Sequence, residues 1–143
     1  MTIDSDRMEI EAVLEAVRRG HHDKDAAIIA GQFAPGAVIF DLAPPLAHGV
    51  EVRDIAGWLD TWDGPVEQEN RDLTIRISGD LALCHALQKT SARTKSGGED
   101  AQWWQRLTVG LVRVDGAWKI AHEHASVPFH MDGSFRAAVD LEP

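Results

Sequence analysis

The sequence contains no tyrosine and only one cysteine among its 143 residues. Without a phenol, no tyrosine can serve as a catalytic acid. The single cysteine, Cys84, excludes an internal disulfide and a Cys-x-x-Cys zinc site, so we expect it to pack in the core. The apolar runs are only a few residues long, too short to span a bilayer. With 44% hydrophobic and 26% charged residues, the composition is that of a globular domain.

Basic side chains are also fewer than acidic ones. The sequence has 14 Lys and Arg and 23 Asp and Glu, which gives a formal net charge of -9. Such a surface repels phosphate backbones and anionic lipids, so we expect no nucleic-acid partner and no membrane partner. The first ten residues, MTIDSDRMEI, lack the basic flank and apolar stretch of a signal peptide. We therefore expect a cytoplasmic protein. No linker divides residues 1–143, so we also expect a single domain.

The first part of the chain has the apolar spacing of helices. Apolar residues recur at helical intervals in three stretches, at 10–17, 26–33 and 55–62. Asp23 precedes the second stretch and could cap that helix. Between the second and third stretches, the apolar residues 38–40 suggest a short strand.

The second half has the pattern of antiparallel strands. Three turn signals, Ser78-Gly79-Asp80, Ser96-Gly97-Gly98 and Asp115-Gly116, divide residues 66–128 into four candidate strands of about a dozen residues each. Strands of this length twist strongly and tend to curl. We therefore predict an α+β fold in which three N-terminal helices pack on the concave face of a curved antiparallel sheet.

Alternation along the strands predicts three histidines on the inner face of the sheet. In the last strand, His122 and His124 share their parity with the apolar Trp118 and Ile120, although a β-bulge would reverse this assignment. His85 alternates with leucines in an earlier strand. We predict that these three imidazoles line one polar pocket, while the alternative for each is a core histidine bonded to a backbone carbonyl.

Further candidates lie near the same pocket. Asp41 directly follows the apolar segment 38–40, where its carboxylate could be a general base with a raised pKa or could start an Asx turn. His48 follows the proline-rich loop and could reach the same mouth. The remaining candidates for ligand binding are Trp58, Trp62, Trp103, Gln105 and Ser126.

A metal site is the alternative use of the histidines. His122 and His124 could bind one ion together with His85. Cupin metal sites also begin with His-x-His but continue with a glutamate, whereas Ala125-Ser126-Val127-Pro128 follows here. We therefore predict neither a metal nor a cofactor.

Three stretches of the sequence resemble the SnoaL-like group of the nuclear transport factor 2-like superfamily, which also contains ketosteroid isomerase. These stretches are VIFDLAPPLAHG, GDLALCHALQ and RVDGAWKIAHEHASVPF. The resemblance covers about residues 8–130 and leaves residues 131–143 outside it. It implies a cone-shaped fold with a deep pocket at the open end, and a homodimer packed through the sheet. On the outer face of that sheet we expect Trp104, Arg106 and Thr108, as an interface or as a solvated face.

The resemblance also implies roles for particular residues. Asp41 lies near the position of the isomerase's carboxylate base, and His85, His122 and His124 match the subgroup that ends in HEHxSVPF. The isomerase's phenolic donor has no counterpart here, so a histidine would have to supply the hydrogen bond to the substrate oxygen.

Two functions remain open at this point. The first is a cofactor-free isomerase, dehydratase or hydrolase for a small, flat, mostly apolar substrate. Asp41 would abstract a proton next to a carbonyl or activate water, His85 or His122 would stabilise the oxyanion, and His124 would orient its neighbour. The second is a non-catalytic dimer that binds a small ligand or serves as an assembly module, with the histidines as satisfied polar groups.

Overall fold

A computed structural model describes residues 2–143 and has the predicted α+β class. Helices and strands follow one another as α1 Ile3–His22, α2 Ala26–Gly31, β1 Phe33–Phe40, α3 Val52–Asp60, β2 Trp62–Ser78, β3 Leu81–Thr94, β4 Asp100–Val114 and β5 Ala117–Ser126. The predicted helical stretches and the four long strands of the second half are therefore confirmed.

The strands form one sheet in the order β1-β5-β4-β3-β2. Strands β2 to β5 are antiparallel, and β1 is added beside β5 in parallel, which makes the sheet mixed. Asp115 and Gly116 both have positive φ, 50° and 81°, as a two-residue hairpin turn of type I′ requires. The sheet curves around the helices without closing, so it has an inner, concave face toward the helices and an outer face.

Short polar residues begin the first two helices. Thr2 and Ser5 form a reciprocal capping box at the start of α1. Asp25, rather than the predicted Asp23, caps α2, because its carboxylate accepts the Ile28 N–H at 3.1 Å. Asp23 instead lies at the end of α1, where its backbone N–H donates to the Arg19 carbonyl at 2.8 Å.

The narrow end of the cone is closed by apolar packing and a buried ion pair. Ile10 of α1 packs with Trp118 and Ile120 of β5. Asp6 accepts two hydrogen bonds from the Arg113 guanidinium, at 2.7 and 3.0 Å, and one from the Trp118 indole N–H at 3.1 Å. These hydrogen bonds, Arg113 first, hold the pKa of Asp6 below its usual value. They also fix the start of α1 against the β4–β5 hairpin.

A β-bulge in β5 overturns the predicted orientation of two histidines. Leu111 pairs with Ile120, but Gly110 pairs with His122, so Ala121 is the extra residue. Beyond the bulge the parity reverses. The prediction that His122 and His124 face inward is therefore wrong, and Glu123 faces inward instead.

The predicted face of β3 is also wrong. Ala82, Cys84 and Ala86 are buried on the inner face, whereas Leu83 and His85 are exposed on the outer face. Alternation fails here because both faces of β3 are apolar. The small side chains face inward, where they leave room for the helix residues in the same core. The expectation for Cys84 is confirmed, since it is buried and burial raises the pKa of its thiol to about 11.

The chain after β5 folds back on itself. The His130 N–H donates to the Arg136 carbonyl, and the Ala138 N–H donates to the Pro128 carbonyl at 2.7 Å. Ala138 is buried by this turn, while Phe129 and Phe135 pack against each other and stay exposed. No helix in residues 2–143 is both long and apolar enough to cross a membrane.

Candidate functional site

What we call the aromatic wall is a row of rings on the inner side of the sheet, at the end where α1 ends. His21 ends α1, Trp58 lies on α3, Trp62 begins β2 and Trp103 lies near the start of β4. Their ring centroids follow at 6.1 Å from His21 to Trp58, 6.0 Å from Trp58 to Trp62 and 6.2 Å from Trp62 to Trp103. Trp58 is 40% exposed, and the other rings are half-buried. The three tryptophans predicted from the sequence are thus brought together.

Asp41 and His48 form a pair at the rim of this end. The Asp41 Oδ2 atom lies 3.4 Å from His48 Nε2, and its Oδ1 atom accepts the Leu42 N–H at 2.8 Å. His48 is held by two backbone hydrogen bonds with Ile39, of 2.8 and 3.0 Å. Its Nδ1 atom lies 2.7 Å from the Gly49 carbonyl, so Nδ1 carries a proton, and Nε2 faces the Asp41 carboxylate, an acceptor that only a protonated Nε2 can satisfy. His48 and Asp41 thus meet at one rim, and both side chains are exposed.

Glu123 is the third member of what we call the acid–base cluster, with Asp41 and His48. It pairs in register with Val109 on one side and Ile39 on the other, so its side chain lies on the inner face. Burial and, to a smaller extent, the negative charge of Asp41 raise the pKa of this half-buried carboxyl to about 7, against an opposing effect of His48. A carboxyl with such a pKa exchanges its proton near neutral pH.

Sequence reasoning missed Glu123 because it assumed an unbroken alternation in β5. One signal was present. Trp118 and Ile120 are apolar at even positions, whereas Ala125 and Val127 are apolar at odd positions. Such a change of phase within one strand indicates a bulge between the two pairs.

His21 faces the cluster from the end of α1. Its Nδ1 atom lies 2.8 Å from the Val17 carbonyl, which assigns the proton to Nδ1 and leaves Nε2 as an acceptor. Burial lowers the pKa of this imidazole, while the hydrogen bond to Val17 and the charge of Asp41 oppose that effect. His21 is therefore a half-buried neutral imidazole.

An amide ladder crosses the inner face next to the aromatic wall. The Trp103 indole N–H donates to Gln105 Oε1 at 2.8 Å, Gln105 Nε2 donates to Gln88 Oε1 at 2.9 Å, and Gln88 Nε2 donates to Asn70 Oδ1 at 2.9 Å. Gln88 and Gln105 are buried. The predicted ligand-binding residue Gln105 thus belongs to this end of the cone.

The other predicted residues lie on the outer face. His122 Nδ1 bonds the Val38 carbonyl at 2.6 Å, and Phe40 packs edge-on against both His122 and His124. Predicted site residue Ser126 accepts a hydrogen bond from Arg106 at 3.1 Å. His85, His122, His124 and Ser126 therefore do not lie on the inner face, where the sequence predicted a shared pocket.

His124 does border a second feature. An open cleft of about 600 Å³ lies between the proline-rich loop and the end of β5, and Asp41 and His124 both line it. Its remaining lining is the apolar loop that follows β1. Asp41 is therefore reached both from this cleft and from the concave side. Within residues 2–143, no group of three or more His, Cys, Asp or Glu side chains is arranged to hold a metal ion.

The family model of the SnoaL-like domain matches residues 10–130. This chain belongs to the SnoaL-like domain family. A search of curated proteins found no significant match. The resemblance noted in the sequence and the cone-shaped fold it implies are both confirmed.

Solved structures share the fold along most of the chain. One is an NTF2-like protein of unknown function from Pseudomonas putida KT2440, with 28% identity, 100% of each chain covered and a TM-score of 0.85. Another is a candidate scytalone dehydratase from Novosphingobium aromaticivorans DSM 12444, with 17% identity, 94% of this chain and 91% of that chain covered and a TM-score of 0.78. A third is a type 2 hexachlorocyclohexane dehydrochlorinase, with 14% identity, 85% of this chain and 84% of that chain covered and a TM-score of 0.75. The last two establish the fold alone.

Proposed function

We propose that this SnoaL-like protein is an enzyme that applies acid–base chemistry to a small, mostly apolar molecule without a cofactor. The observation that carries the proposal is the convergence of Glu123, Asp41 and His48 at a concave end walled by tryptophans. Three proton-handling groups beside apolar rings suit the transfer of a proton to and from carbon.

Glu123 is the base in this proposal. Its carboxylate takes a proton from a carbon next to a carbonyl, the C–H bond breaks, and the electron pair moves onto the carbonyl oxygen as an enolate. With a pKa raised to about 7, Glu123 is a stronger base than an ordinary carboxylate and is still largely ionised just above neutral pH. Asp41, the base expected from the sequence, stays in the machinery because its charge raises the basicity of Glu123 and its Oδ2 faces His48.

His48 is the acid in its doubly protonated form, with one proton on Nδ1 toward the Gly49 carbonyl and a second on Nε2 toward Asp41. The Nε2 proton goes to the departing group in an elimination, whereas Glu123 returns its own proton to another carbon in an isomerisation. A hydrolysis would use the same carboxylate to take a proton from water. Two of the proteins with this fold are named a dehydratase and a dehydrochlorinase, and both names describe the loss of a proton and a leaving group. These names support elimination over hydrolysis.

Hydrogen–deuterium exchange tests the first step without knowledge of the substrate. Incubation of 2-tetralone, a bicyclic ketone, in D₂O with the protein is expected to speed loss of the α-proton signals in NMR. Glu123→Gln removes the base and keeps the shape, so exchange should fall about 10²- to 10⁴-fold. His48→Gln should leave exchange within a few-fold, since the acid acts later. Glu11→Gln, on the exposed side of α1, is the matched control. Equal exchange in wild type and Glu123→Gln would contradict the proposal.

A second function, a non-catalytic homodimer that binds a ligand, is favoured by the outer face of the sheet. Two rows cross this face from β1 to β2, and neither contains an Asp or a Glu: Val38, His122, Gly110, Leu83 and Arg76, and Phe40, His124, Thr108, His85 and Thr74. Leu83 is 49% exposed and its neighbour Leu81 is 61% exposed. Two copies of an acidic chain would meet with least repulsion on this carboxylate-free part of the outer face.

Sedimentation velocity tests this assembly. We expect a dimer for the wild type, a monomer for Leu83→Asp, and a dimer for Met8→Asp, which places the same charge on an exposed part of α1. A wild-type monomer at micromolar concentration would refute the homodimer. A dimer without exchange of 2-tetralone would favour the non-catalytic function over the enzyme.

A further inference from the structure

We propose that the inner wall formed by Trp62, Thr90 and the amide ladder is a subsite for an acceptor oxygen of the ligand, such as a ketone carbonyl. The subsite adds a ligand-binding role to the proposed function, and the reaction of the bound molecule rests on that proposed function. Its donors provide hydrogen bonds to a ligand oxygen in a sequence that has no tyrosine hydroxyl to donate them. The wall presents hydrogen-bond donors that lack partners, because the ladder runs in one direction only.

Trp103 fixes that direction. An indole nitrogen can only donate, so the atom of Gln105 that meets it must be the amide oxygen. The Gln105 nitrogen then faces Gln88 and must meet its oxygen. By the same step, the Gln88 nitrogen meets the Asn70 oxygen. One indole at the end of the ladder therefore orients three amides.

The fixed direction leaves donors rather than acceptors without partners. Each amide oxygen of the ladder accepts one hydrogen bond, whereas the Asn70 amide nitrogen, at the far end, has no partner within residues 2–143. Asn70 is half-buried, so water or a ligand reaches it. A ligand oxygen, not a ligand N–H, satisfies this end of the ladder.

Two buried polar atoms beside the ladder support the same conclusion. Trp62 Nε1 and Thr90 Oγ1 are buried and have no hydrogen-bond partner among residues 2–143. Thr90 is 2% exposed and pairs in register with Trp103, whose ring packs against that of Trp62. An unpaired buried donor costs about 1–3 kcal/mol, so such atoms in a native protein indicate a missing partner. Trp62 Nε1 can only donate, so that partner is an acceptor.

The position and charge of the wall narrow the ligand class. Thr90 lies on β3 and Asp41 follows β1, three strand spacings or about 14 Å along the sheet. Because the side chains of a concave face converge, the remaining gap between them fits a molecule of one or two rings. None of the six wall side chains carries a positive charge, and Asp41 and Glu123 lie opposite, so the structure favours a neutral ligand over a carboxylate. The inferred ligand is a flat, neutral molecule with an acceptor oxygen at one end and the reacting C–H bond facing Glu123.

A pair of probes tests the subsite. 2-Tetralone carries a ketone, and tetralin has the same two fused rings without the oxygen. Calorimetric titration of the wild type should give tighter binding of 2-tetralone, by about 3- to 10-fold, as one hydrogen bond provides. In ¹H–¹⁵N spectra, 2-tetralone should shift the Trp62 indole N–H signal, assigned with Trp62→Phe, and tetralin should shift it less.

Three variants and one control complete the test. Thr90→Val removes one donor and keeps the shape, Trp62→Phe removes one donor together with part of the ring surface, and Trp103→Phe releases the direction of the ladder. All three should lower the ratio of 2-tetralone affinity to tetralin affinity, which is the readout because the smaller phenyl ring weakens the apolar contact with both probes. Trp104→Phe, on the outer face, should keep the full preference. Equal binding of both probes by the wild type would overturn the subsite, as would a preference that survives in both Trp62→Phe and Thr90→Val.

The outcome is separable from that of the acid–base proposal. Glu123→Gln should lose proton exchange from 2-tetralone and keep the preference for 2-tetralone over tetralin. If the wild type prefers the ketone but shows no exchange, the subsite stands and the catalytic proposal fails. If exchange depends on Glu123 but no preference is found, the subsite fails and the catalytic proposal stands.

Discussion

Glu123→Gln is expected to stabilise the protein above neutral pH while destroying its acid–base function. Burial and the charge of Asp41 raise the pKa of Glu123 from its ordinary value of 4.5 to about 7. The folded protein therefore holds this proton more tightly than the unfolded chain does. The stability that Glu123 contributes is fully present below pH 4.5 and is lost as the pH rises through about 7.

The size of the effect follows from the same two values. One pH unit corresponds to about 1.4 kcal/mol, so a rise from 4.5 to about 7 amounts to about 3 kcal/mol against the ionised form. Glu123 is half-buried, and solvent relaxes part of this cost. We therefore expect Glu123→Gln to be more stable than the wild type by about 1–3 kcal/mol at pH 8. At pH 4.5 the difference should be near zero, because both side chains are then uncharged in the folded state.

Urea unfolding at the two pH values measures this difference. The unfolding free energies of wild type and Glu123→Gln should diverge between pH 4.5 and pH 8. Glu11→Gln should show no such divergence, since Glu11 is exposed on α1. A Glu123→Gln variant that is less stable than the wild type at pH 8 would contradict the raised pKa of Glu123, because it would mean that the surroundings favour the ionised carboxylate.

Two further predictions concern the frame that holds the site. Asp6→Asn should lower the urea midpoint of unfolding at pH 7. The difference in midpoint from the wild type should shrink as the pH falls below 3.8, because a carboxyl whose pKa is lowered in the folded state contributes stability only above its unfolded pKa. An undiminished difference at low pH would contradict this account. Ile120→Ala, at a fully buried position beside the bulge, should cost about 2–5 kcal/mol in urea unfolding and Ile120→Val about 0.5–1.5 kcal/mol, whereas an equal cost for both would argue against close packing there.

The fold could be predicted because its signals are local. Helical spacing before residue 63 and turn residues such as Asp115-Gly116 depend on neighbours along the chain, and each appears in the structure. The proximity of Asp41 and His48 could also be predicted, because both residues flank the same loop and meet across it. The resemblance over about residues 8–130, which the family model matches at 10–130, then supplied the three-dimensional arrangement.

The facing of the strands could not be predicted in the same way. Strand parity depends on an unbroken register, and a single extra residue at Ala121 exchanged the histidines for Glu123. In β3 the alternation of leucines predicted the wrong face because both faces are apolar, and Leu81 and Leu83 on the outer face are exposed. The amide ladder joins residues from three strands, so it needs the register of all three before it can be seen.

The most direct test of the acid–base cluster is the titration of Glu123 itself. In protein labelled with ¹³C at the glutamate side-chain carboxyl, Glu123 should titrate with a midpoint near 7, identified by its loss in Glu123→Gln. The midpoint should fall in Asp41→Asn, where a neighbouring negative charge is removed, and rise in His48→Gln. A midpoint at the ordinary value of 4.5, unmoved by either variant, would contradict the proposal that Glu123, Asp41 and His48 act as one site.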